Sequence, residues 1–351
     1  MSIDSSSMAE DAAGLPLVSS SGGPFETGLT LGRHGHRAVH DNLVKSDIWQ
    51  DVTSERHHRR VAQMLDHSLR HHPAVVEEIH GLARGLELPF QAVFAWNCRG
   101  DLLANSPDGC TTVMLPGPEP CIAHNEDGLP FFDGDSFLAN VKPDEAPAFL
   151  AFCYPGSIPG HTFALTAAGI VQTVNNLRLK RVPPGVPRMV LGRAMLSLTS
   201  LDAIRELLQQ APASGGFHFT LAQRGDPRLH SIEVGAGQVS HRHVDRAMIH
   251  ANHALHHDWR HTRQIVTGSS HDRQSRGSEL ITAGERDPLT ILMDTGGEGL
   301  PIYRREPDDP DRENTLATGI FRLLNDRIQW EVHTPGRRRP LHGTDRLLFE
   351  Q

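Results

Sequence analysis

The sequence has few of the features that mark disulfide-rich, membrane-spanning or nucleic-acid-binding proteins. It contains four cysteines in 351 residues, none in a C-x-x-C pair, so neither a disulfide framework nor a cysteine-rich zinc module is indicated. No apolar run approaches the length of about 20 residues that a bilayer-spanning helix needs. The net charge of −8 also argues against a nucleic-acid or acidic-membrane partner.

Several common functional motifs are absent as well. The sequence has no Walker loop, no dinucleotide-binding glycine fingerprint and no Gly-x-Ser-x-Gly elbow. Its N-terminus lacks a charged segment followed by an apolar one. We therefore expect a cytoplasmic protein with free thiols, no cofactor and no bound metal. The 38% of hydrophobic residues are enough for a sizeable core.

The distribution of apolar residues divides the chain into three parts. Residues 1–25 are rich in Ser, Gly and Ala and predict a flexible tail. Residues 26–109 repeat apolar residues at helical spacing and predict a mainly helical segment. Residues 110–351 belong to the same domain and begin with short β-like runs separated by Gly, Pro and Asp.

The later part of the chain alternates between the two kinds of structure. A helix is expected over about 187–210, with a break near Ser200, and strands are expected at 289–294, 316–323 and 328–332. The order of helices, strands, helices and strands, with hairpin-length connections, predicts two antiparallel sheets packed face to face and covered by helices on both outer sides.

One cysteine lies at an unusual position, between a turn and a strand. Pro107-Asp108-Gly109 has the composition of a tight turn, and the β-branched, apolar run from Thr111 to Leu115 predicts a strand. A thiol at Cys110 can attack the carbonyl that precedes it, which is the chemistry of an autoprocessing N-terminal nucleophile.

Two further segments carry polar residues at the ends of β-like runs. Cys121-Ile122-Ala123-His124-Asn125-Glu126-Asp127 follows Cys110 across a predicted hairpin, and Ile249-His250-Ala251-Asn252-His253 comes later. With Gly-Cys-Thr-Thr at 109–112, the Asn-x-Asp and Asn-His elements resemble the acyl-coenzyme A:6-aminopenicillanic acid acyltransferase family. This family is an autoprocessed group of N-terminal-nucleophile (Ntn) hydrolases and is also counted among the cysteine peptidases.

The resemblance implies an α+β fold, the four-layer αββα Ntn-hydrolase sandwich with two mainly antiparallel sheets. It also implies self-cleavage between Gly109 and Cys110, with the two chains remaining associated. Cleavage would give Cys110 a free α-amino group with an unperturbed pKa of about 8. Cys110 would then supply both the nucleophile and its base, and an acyl-thioester would form on its sulfur.

The resemblance assigns roles to further residues. Asn252 is expected in the oxyanion hole, Asp127 as the partner of the Cys110 amine or of proton transfer, and Asn125 as a hydrogen-bonding support. The hydroxyl of Thr111 is a candidate helper in processing. The sequence departs from the family at Glu126 and Gly128, where aromatic residues are common, so penicillin chemistry is not inferred.

These observations predict an enzyme that transfers an acyl group from a small amide, peptide-like or thioester substrate to water or an amine. A coenzyme A thioester is one candidate substrate. The first alternative is a zinc-dependent hydrolase that uses the histidines between His250 and His261, since three imidazoles and a water form a hydrolytic site. The second is an unprocessed, non-catalytic scaffold. The sequence makes no prediction about oligomeric state.

Overall fold

The α-helices are concentrated in the first third of the chain. The computed structural model describes residues 14–103, 109–306 and 311–346. Within these ranges the helices are α1 (Pro24–Ala38), α2 (Asp47–Val52), α3 (His58–His71), α4 (Pro73–Leu86), α5 (Phe90–Trp96), α6 (Arg99–Leu102), α7 (Arg188–Met195), α8 (Leu201–Gln210), α9 (Gly268–Thr282) and α10 (Pro288–Leu292). None of them is both long and apolar enough to cross a membrane.

The strands form two sheets. In chain order they are β1 (Leu17–Gly22), β2 (Gly109–Leu115), β3 (Cys121–Gly128), β4 (Phe137–Pro143), β5 (Phe149–Cys153), β6 (Phe163–Thr166), β7 (Ile170–Leu177), β8 (Gly216–Gln223), β9 (Leu229–Gly235), β10 (Gln238–Val244), β11 (Met248–His250), β12 (Asn314–Leu323), β13 (Ile328–His333) and β14 (Leu341–Thr344). The larger sheet has the order β1-β4-β5-β6-β7-β8-β9-β10, and the smaller has the order β11-β2-β3-β12-β13-β14.

The two sheets pack face to face, as the sequence predicts. Strand β2 of the smaller sheet lies against β7 of the larger one. Phe163 on β6 and Phe321 on β12 meet edge to face across the interface, with ring centroids 5.9 Å apart. Every pairing between these named strands is antiparallel except that of β1 with β4. The interface between the sheets is part of one large apolar core.

Helices cover the outer side of each sheet. Helices α1 and α4 pack together at very close range. A Cβ at Gly28 would overlap the backbone carbonyl of Glu78, so this contact requires glycine. Helix α1 contacts β1 and β4, and α8 contacts β8 and β10. Helices α9 and α10 cover the smaller sheet through a separate apolar cluster that includes Ile249, Ile281 and Ile291. The result is the predicted four-layer αββα sandwich.

Three sequence predictions need correction. Residues 17–22 are not part of a flexible tail but form β1, which pairs in parallel with the edge of β4. Strand pairing uses backbone N–H and C=O groups, so a Ser-rich segment can also form a strand. The strand expected at 289–294 is wrong, because Asp287 caps α10 by accepting a hydrogen bond from Thr290 N at 3.0 Å, and Pro288 occupies the first turn. Strands β10 and β14 were not expected, since neither has a long apolar run.

Other predictions of local structure are confirmed. The expected long helix is divided into α7 and α8, and Ser200 caps α8 by accepting a hydrogen bond from Ala203 N at 3.2 Å. Pro73 begins α4, as predicted. The turn expected at Pro107-Asp108 lies outside the described residues.

Candidate active site

The β2–β3 hairpin presents two different sets of side chains on its two faces. Its antiparallel register pairs Cys110 with Glu126 and Thr112 with His124, and it pairs Gly109 with Asp127 and Thr111 with Asn125. Directly paired residues share a face, and successive residues alternate between faces. We call the side facing β7 the inner face (Cys110, Thr112, His124, Glu126). The side facing α9 and α10 is the outer face (Gly109, Thr111, Asn125, Asp127).

The inner face surrounds the sulfur of Cys110. Its side chain is buried, and Sγ lies 3.7 Å from Glu126 Oε2. Burial raises the pKa of the Cys110 thiol well above its usual range, and the charges of Glu126 and Asp127 act in the same direction. A hydrogen bond from the backbone N–H of Asn176, on β7, and the charge of Arg273 act in the opposite direction. The thiol therefore needs a base beside it to become a nucleophile.

Glu126 and His124 are hydrogen-bonded to each other on this face. Thr112 donates its hydroxyl proton to Asn175 Oδ1 at 2.7 Å, so it must accept a hydrogen bond from His124 Nδ1–H at 2.8 Å. His124 Nε2 then faces Glu126 Oε2 at 3.0 Å, and only one proton is needed between them. Tyr154 donates to the other Glu126 oxygen. Burial lowers the pKa of His124 to about 3, so the imidazole alone is a weak proton acceptor.

Two side chains hold the main chain of Cys110 from outside the hairpin. Asn252, just after β11, accepts a hydrogen bond from Cys110 N at 3.0 Å through Oδ1. Arg273, on α9, donates to Cys110 O at 2.5 Å and to Asn252 Oδ1 at 2.6 Å. Asn252 Nδ2 donates to Asn176 O at 3.3 Å. The structure thus places Asn252 beside Cys110, with its oxygen toward the nucleophile's nitrogen.

The outer face carries the other two residues that the resemblance singled out. Asp127 Oδ1 accepts a hydrogen bond from Thr315 at 2.7 Å, and its buried Oδ2 has no hydrogen-bond partner within the described part of the chain. Asn125 Nδ2 donates to Leu292 O at 2.7 Å, and its Oδ1 accepts from Thr318 at 2.6 Å. Asn125 therefore ties β3 to α10 and β12, on the side of the sheet away from Sγ.

Gly109 is needed for space. A Cβ at this position would overlap a carboxylate oxygen of Glu313. Glu313 is buried and forms ion pairs with Arg178 at 3.1 Å and Arg304 at 2.9 Å. Burial raises the pKa of Glu313 to about 7, although Arg178, Arg304 and Arg273 act in the opposite direction. A carboxyl group that titrates near neutral pH lies beside the Gly109–Cys110 bond.

A small pocket opens onto the sulfur. It has a cavity volume of about 10 Å³ and is lined by Arg99, Cys110, Glu126, His161, Asn176, Arg188, Met189 and Phe217. This volume is about the minimum that holds one water molecule, so the space beside the sulfur is largely filled by protein atoms. Both arginines are buried and lie over aromatic rings, Arg99 over Trp96 and Arg188 over Phe217, each with its guanidinium carbon 4.5 Å from the ring centroid.

The histidines between His250 and His261 do not converge on one point. His250 Nε2 lies 3.0 Å from Glu233 Oε1, His253 Nδ1 lies 2.8 Å from Ser270 Oγ, and His256 lies between Ser231 and Ser240. Among the described residues, the groups whose ligand atoms come together are Cys110–His124–Glu126 and His230–His241–His243. The first coincides with the inner face, and the second lies on β9 and β10.

Sequence reasoning missed four residues that contact Cys110 or its partners. Glu126 was noted only as a departure from the family, although strict alternation along two paired strands places it opposite Cys110. His124 follows from the same alternation. Arg273 and Asn176 come from α9 and β7, and no local pattern connects those segments with residue 110.

The chain has similarities to known proteins in sequence and in structure. The sequence model of the acyl-coenzyme A:6-aminopenicillanic acid acyl-transferase family matches residues 115–337. The chain is 22% identical to a beta-alanyl-dopamine/carcinine hydrolase from Drosophila melanogaster, over 96% of this chain and 97% of that protein. A solved structure of a mutant conjugated bile acid hydrolase from Clostridium perfringens has a TM-score of 0.40 and 9% identity, covering 67% of this chain and 92% of the other.

The family match covers more than half of the chain. The matched segment includes Glu126, Asn252 and Arg273 and begins five residues after Cys110. The protein is therefore an amide-bond hydrolase or acyltransferase of the Ntn type and belongs to the acyl-coenzyme A:6-aminopenicillanic acid acyl-transferase family.

Proposed function

We propose that the protein is an autoprocessed amide hydrolase whose nucleophile is the thiol of Cys110 and whose acyl intermediate is a thioester. One observation carries the proposal. The Cys110 sulfur lies in a pocket beside Glu126, while Asn252 and Arg273 hold the nitrogen and the carbonyl oxygen of the same residue. A nucleophile with a fixed main chain and an adjacent proton acceptor is the arrangement that covalent catalysis needs.

In self-cleavage, the thiol proton passes through Glu126 Oε2 to the hydrogen-bonded pair of Glu126 and His124. The sulfur attacks the carbonyl carbon of Gly109, the C–N bond to Cys110 breaks, and the new amine takes up the proton. Water then hydrolyses the Gly109 thioester, which restores the thiol and leaves a free carboxylate on Gly109. The products are chains of residues 1–109 and 110–351, which remain associated through the shared core.

After cleavage, the free amine of Cys110 adds a second base beside the thiol. Its unperturbed pKa of about 8 lets it accept the thiol proton near neutral pH. Asn252 Oδ1 already accepts a hydrogen bond from this nitrogen, and the unpartnered Oδ2 of Asp127 is available to its ammonium form. The backbone N–H of Asn176 and the side-chain amide of Asn252 are the proposed donors to the oxyanion.

The charged groups that line the pocket favour a polar substrate. Two guanidinium groups and one carboxylate line it, and charged walls of this kind disfavour a long aliphatic acyl chain. Because the Drosophila relative is named for beta-alanyl-dopamine and carcinine, these two compounds are the first substrates to test. We propose water as the acyl acceptor and no metal or other cofactor. Coenzyme A thioesters form the comparison set of acyl donors.

Denaturing mass spectrometry with terminal sequencing tests the processing step. We expect two chains that meet between Gly109 and Cys110 in the wild type and one intact chain in Cys110→Ala. Hydrolysis of the beta-alanyl amides is then measured on the same samples, with and without prior chelation, and we expect chelation to have no effect. An intact, active wild type would overturn the proposed free amine, and an active Cys110→Ala variant would overturn the proposed nucleophile.

A further inference from the structure

A group of three histidines lies on the edge hairpin of the larger sheet, away from the inner face. Strands β9 and β10 form this hairpin, and β10 is the last strand of the sheet. The register pairs His230 directly with His243. His241 lies two residues before His243, so all three side chains project from the same face of the hairpin.

The ring nitrogens of this group are close enough to share one ion. His230 Nδ1 lies 3.0 Å from His241 Nε2, and one ligand atom from each of the three histidines lies within 4.8 Å of the other two. Nitrogen ligands at the usual zinc distance of about 2.0–2.1 Å in tetrahedral geometry are separated by about 3.3 Å. Metal binding at that spacing requires side-chain rotations of His241 and His243, the two more exposed members of the group.

One ring nitrogen of His230 faces His241 and the other faces Asp226. Its Nε2 is buried and faces Asp226 Oδ2 at 3.7 Å. Asp226 is itself held by Arg228 through two hydrogen bonds of 2.8 and 2.7 Å. A carboxylate behind a histidine orients the ring and keeps the proton on the far nitrogen, as in carboxylate–histidine–zinc arrangements. Nδ1 of His230 faces His241, and metal binding at Nδ1 would leave the proton on Nε2, on the side of Asp226.

We propose that His230, His241 and His243 bind one divalent transition-metal ion, with Zn²⁺ as the best chemical match, and that water completes the coordination. Three imidazoles suit zinc, copper or nickel rather than magnesium or calcium. His230 is buried, His241 is half-buried and His243 is exposed, so the ion can enter from solvent. Bound metal would join β9 to β10 and stiffen an edge strand whose outer backbone groups are otherwise open to pairing with another chain.

The site differs in chemistry from the inner face. Its ligands are three nitrogens, whereas a metal at Cys110, His124 and Glu126 would bind one sulfur, one nitrogen and one oxygen. A thiolate ligand produces a sulfur-to-metal charge-transfer band in a Co²⁺ complex, and three imidazoles do not. Cobalt spectra therefore report which of the two groups is occupied, and the outcome does not depend on the proposed hydrolase activity.

The test is a titration of full-length protein without an affinity tag. We expect one equivalent of Co²⁺ to give the visible absorption of a tetrahedral complex without a sulfur charge-transfer band, and we expect Zn²⁺ to displace it. His243→Ala and His241→Ala should each weaken binding about tenfold or more, and Asp226→Asn should weaken it less. His342→Ala, on the exposed edge strand of the other sheet, should bind like the wild type.

A second readout is thermal unfolding with and without Zn²⁺, where the wild type and His342→Ala should gain stability and the two ligand variants should not. Because His243 is exposed, His243→Ala should fold like the wild type, and a loss of binding in this variant would not reflect misfolding. The proposal is overturned if the wild type shows no saturable binding, or if His241→Ala and His243→Ala bind as tightly as His342→Ala does.

Discussion

The two faces of the β2–β3 hairpin differ in chemistry, although their residues alternate along the same two strands. On the inner face, Cys110, Glu126 and His124 form a connected set of proton donors and acceptors. On the outer face, Asn125 and Asp127 bind a helix carbonyl and a strand hydroxyl. Adjacent residues in the Asn125-Glu126-Asp127 segment therefore serve opposite sides of the sheet. A sequence motif of consecutive residues in a strand therefore includes side chains that lie on opposite faces of the sheet.

The largest expected effect is the loss of the inner-face nucleophile. Cys110→Ala should abolish both self-cleavage and amide hydrolysis, because within the described residues Cys110 is the thiol that lines the pocket. The measurement combines denaturing mass spectrometry with an amide hydrolysis assay. The three other described cysteines are buried elsewhere, so Cys153→Ala is a matched control that should still be processed.

A pair of charge-removing variants compares the two faces directly. Glu126→Gln should lower kcat by about 10²–10⁴-fold, which is the usual range for a lost general acid–base group. Asp127→Asn should lower kcat by about tenfold, because the variant binds the Cys110 amine more weakly. Self-cleavage of this variant should also be slower. The exposed Glu279→Gln on α9 is the control and should change neither rate. Equal losses of kcat in Glu126→Gln and Asp127→Asn would mean that the two faces are not functionally distinct.

Asn252 tests how the inner face is supported from outside the hairpin. We expect Asn252→Ala to lower kcat by about 10²-fold, the lower end of the range for a lost oxyanion donor. It should also lower the free energy of unfolding by about 1–3 kcal/mol, because the buried side chain of Asn252 makes three hydrogen bonds. Asn252→Asp keeps an oxygen for Cys110 N and Arg273 but loses the amide donor. Recovery of kcat in Asn252→Asp would assign Asn252 to positioning Cys110, and equal losses in both variants would assign it to the oxyanion hole. An unchanged kcat in Asn252→Ala would remove it from both roles.

Much of the layout follows from local patterns in the sequence. The helix that begins at Pro73, the β2–β3 hairpin and the two-sheet architecture depend on proline at a first helical turn, on β-branched runs and on short connections. The proximity of Asn252 to Cys110 was also expected, because the family places an Asn-His element after a late strand. The functional role of each predicted site residue remains a prediction.

The remaining part of the site depends on contacts that no local pattern contains. Arg273 reaches Cys110 from a helix 163 residues later in the chain, and Asn175 and Asn176 approach it from the opposite sheet. Glu126 is the exception, since the hairpin prediction and the period of two place it beside Cys110 without tertiary information. Helix α10, which was predicted as a strand, could also have been identified from the sequence. Asp287-Pro288 is a typical helix start in front of a short apolar run.

On the outer face, a side chain should affect stability more than turnover. Asn125→Ala removes two buried hydrogen bonds and leaves Leu292 O and the Thr318 hydroxyl without that partner. We expect the free energy of unfolding to fall by about 1–3 kcal/mol while kcat stays within about threefold of the wild type. Urea unfolding and the hydrolysis assay measure the two quantities. A large fall in kcat with unchanged stability would place Asn125 in the catalytic machinery after all.

The smallest expected effect is a change in the pH dependence of stability. It comes from a histidine on the same side of the smaller sheet. His253 contacts Ser270 of α9, and burial lowers its pKa to about 4, helped by the charges of His250 and Arg273. The unfolded chain has the ordinary value of about 6.5, so between these two values the unfolded state binds the proton and the folded state does not. The stabilisation is therefore complete above pH 6.5 and is lost as pH falls toward 4. His253→Gln should flatten the dependence of the free energy of unfolding on pH between about 4 and 6.5, as measured by urea unfolding. The control His342→Ala, at an exposed position, should leave that dependence unchanged. Parallel profiles for the wild type and His253→Gln would show that His253 is not kept neutral by the fold.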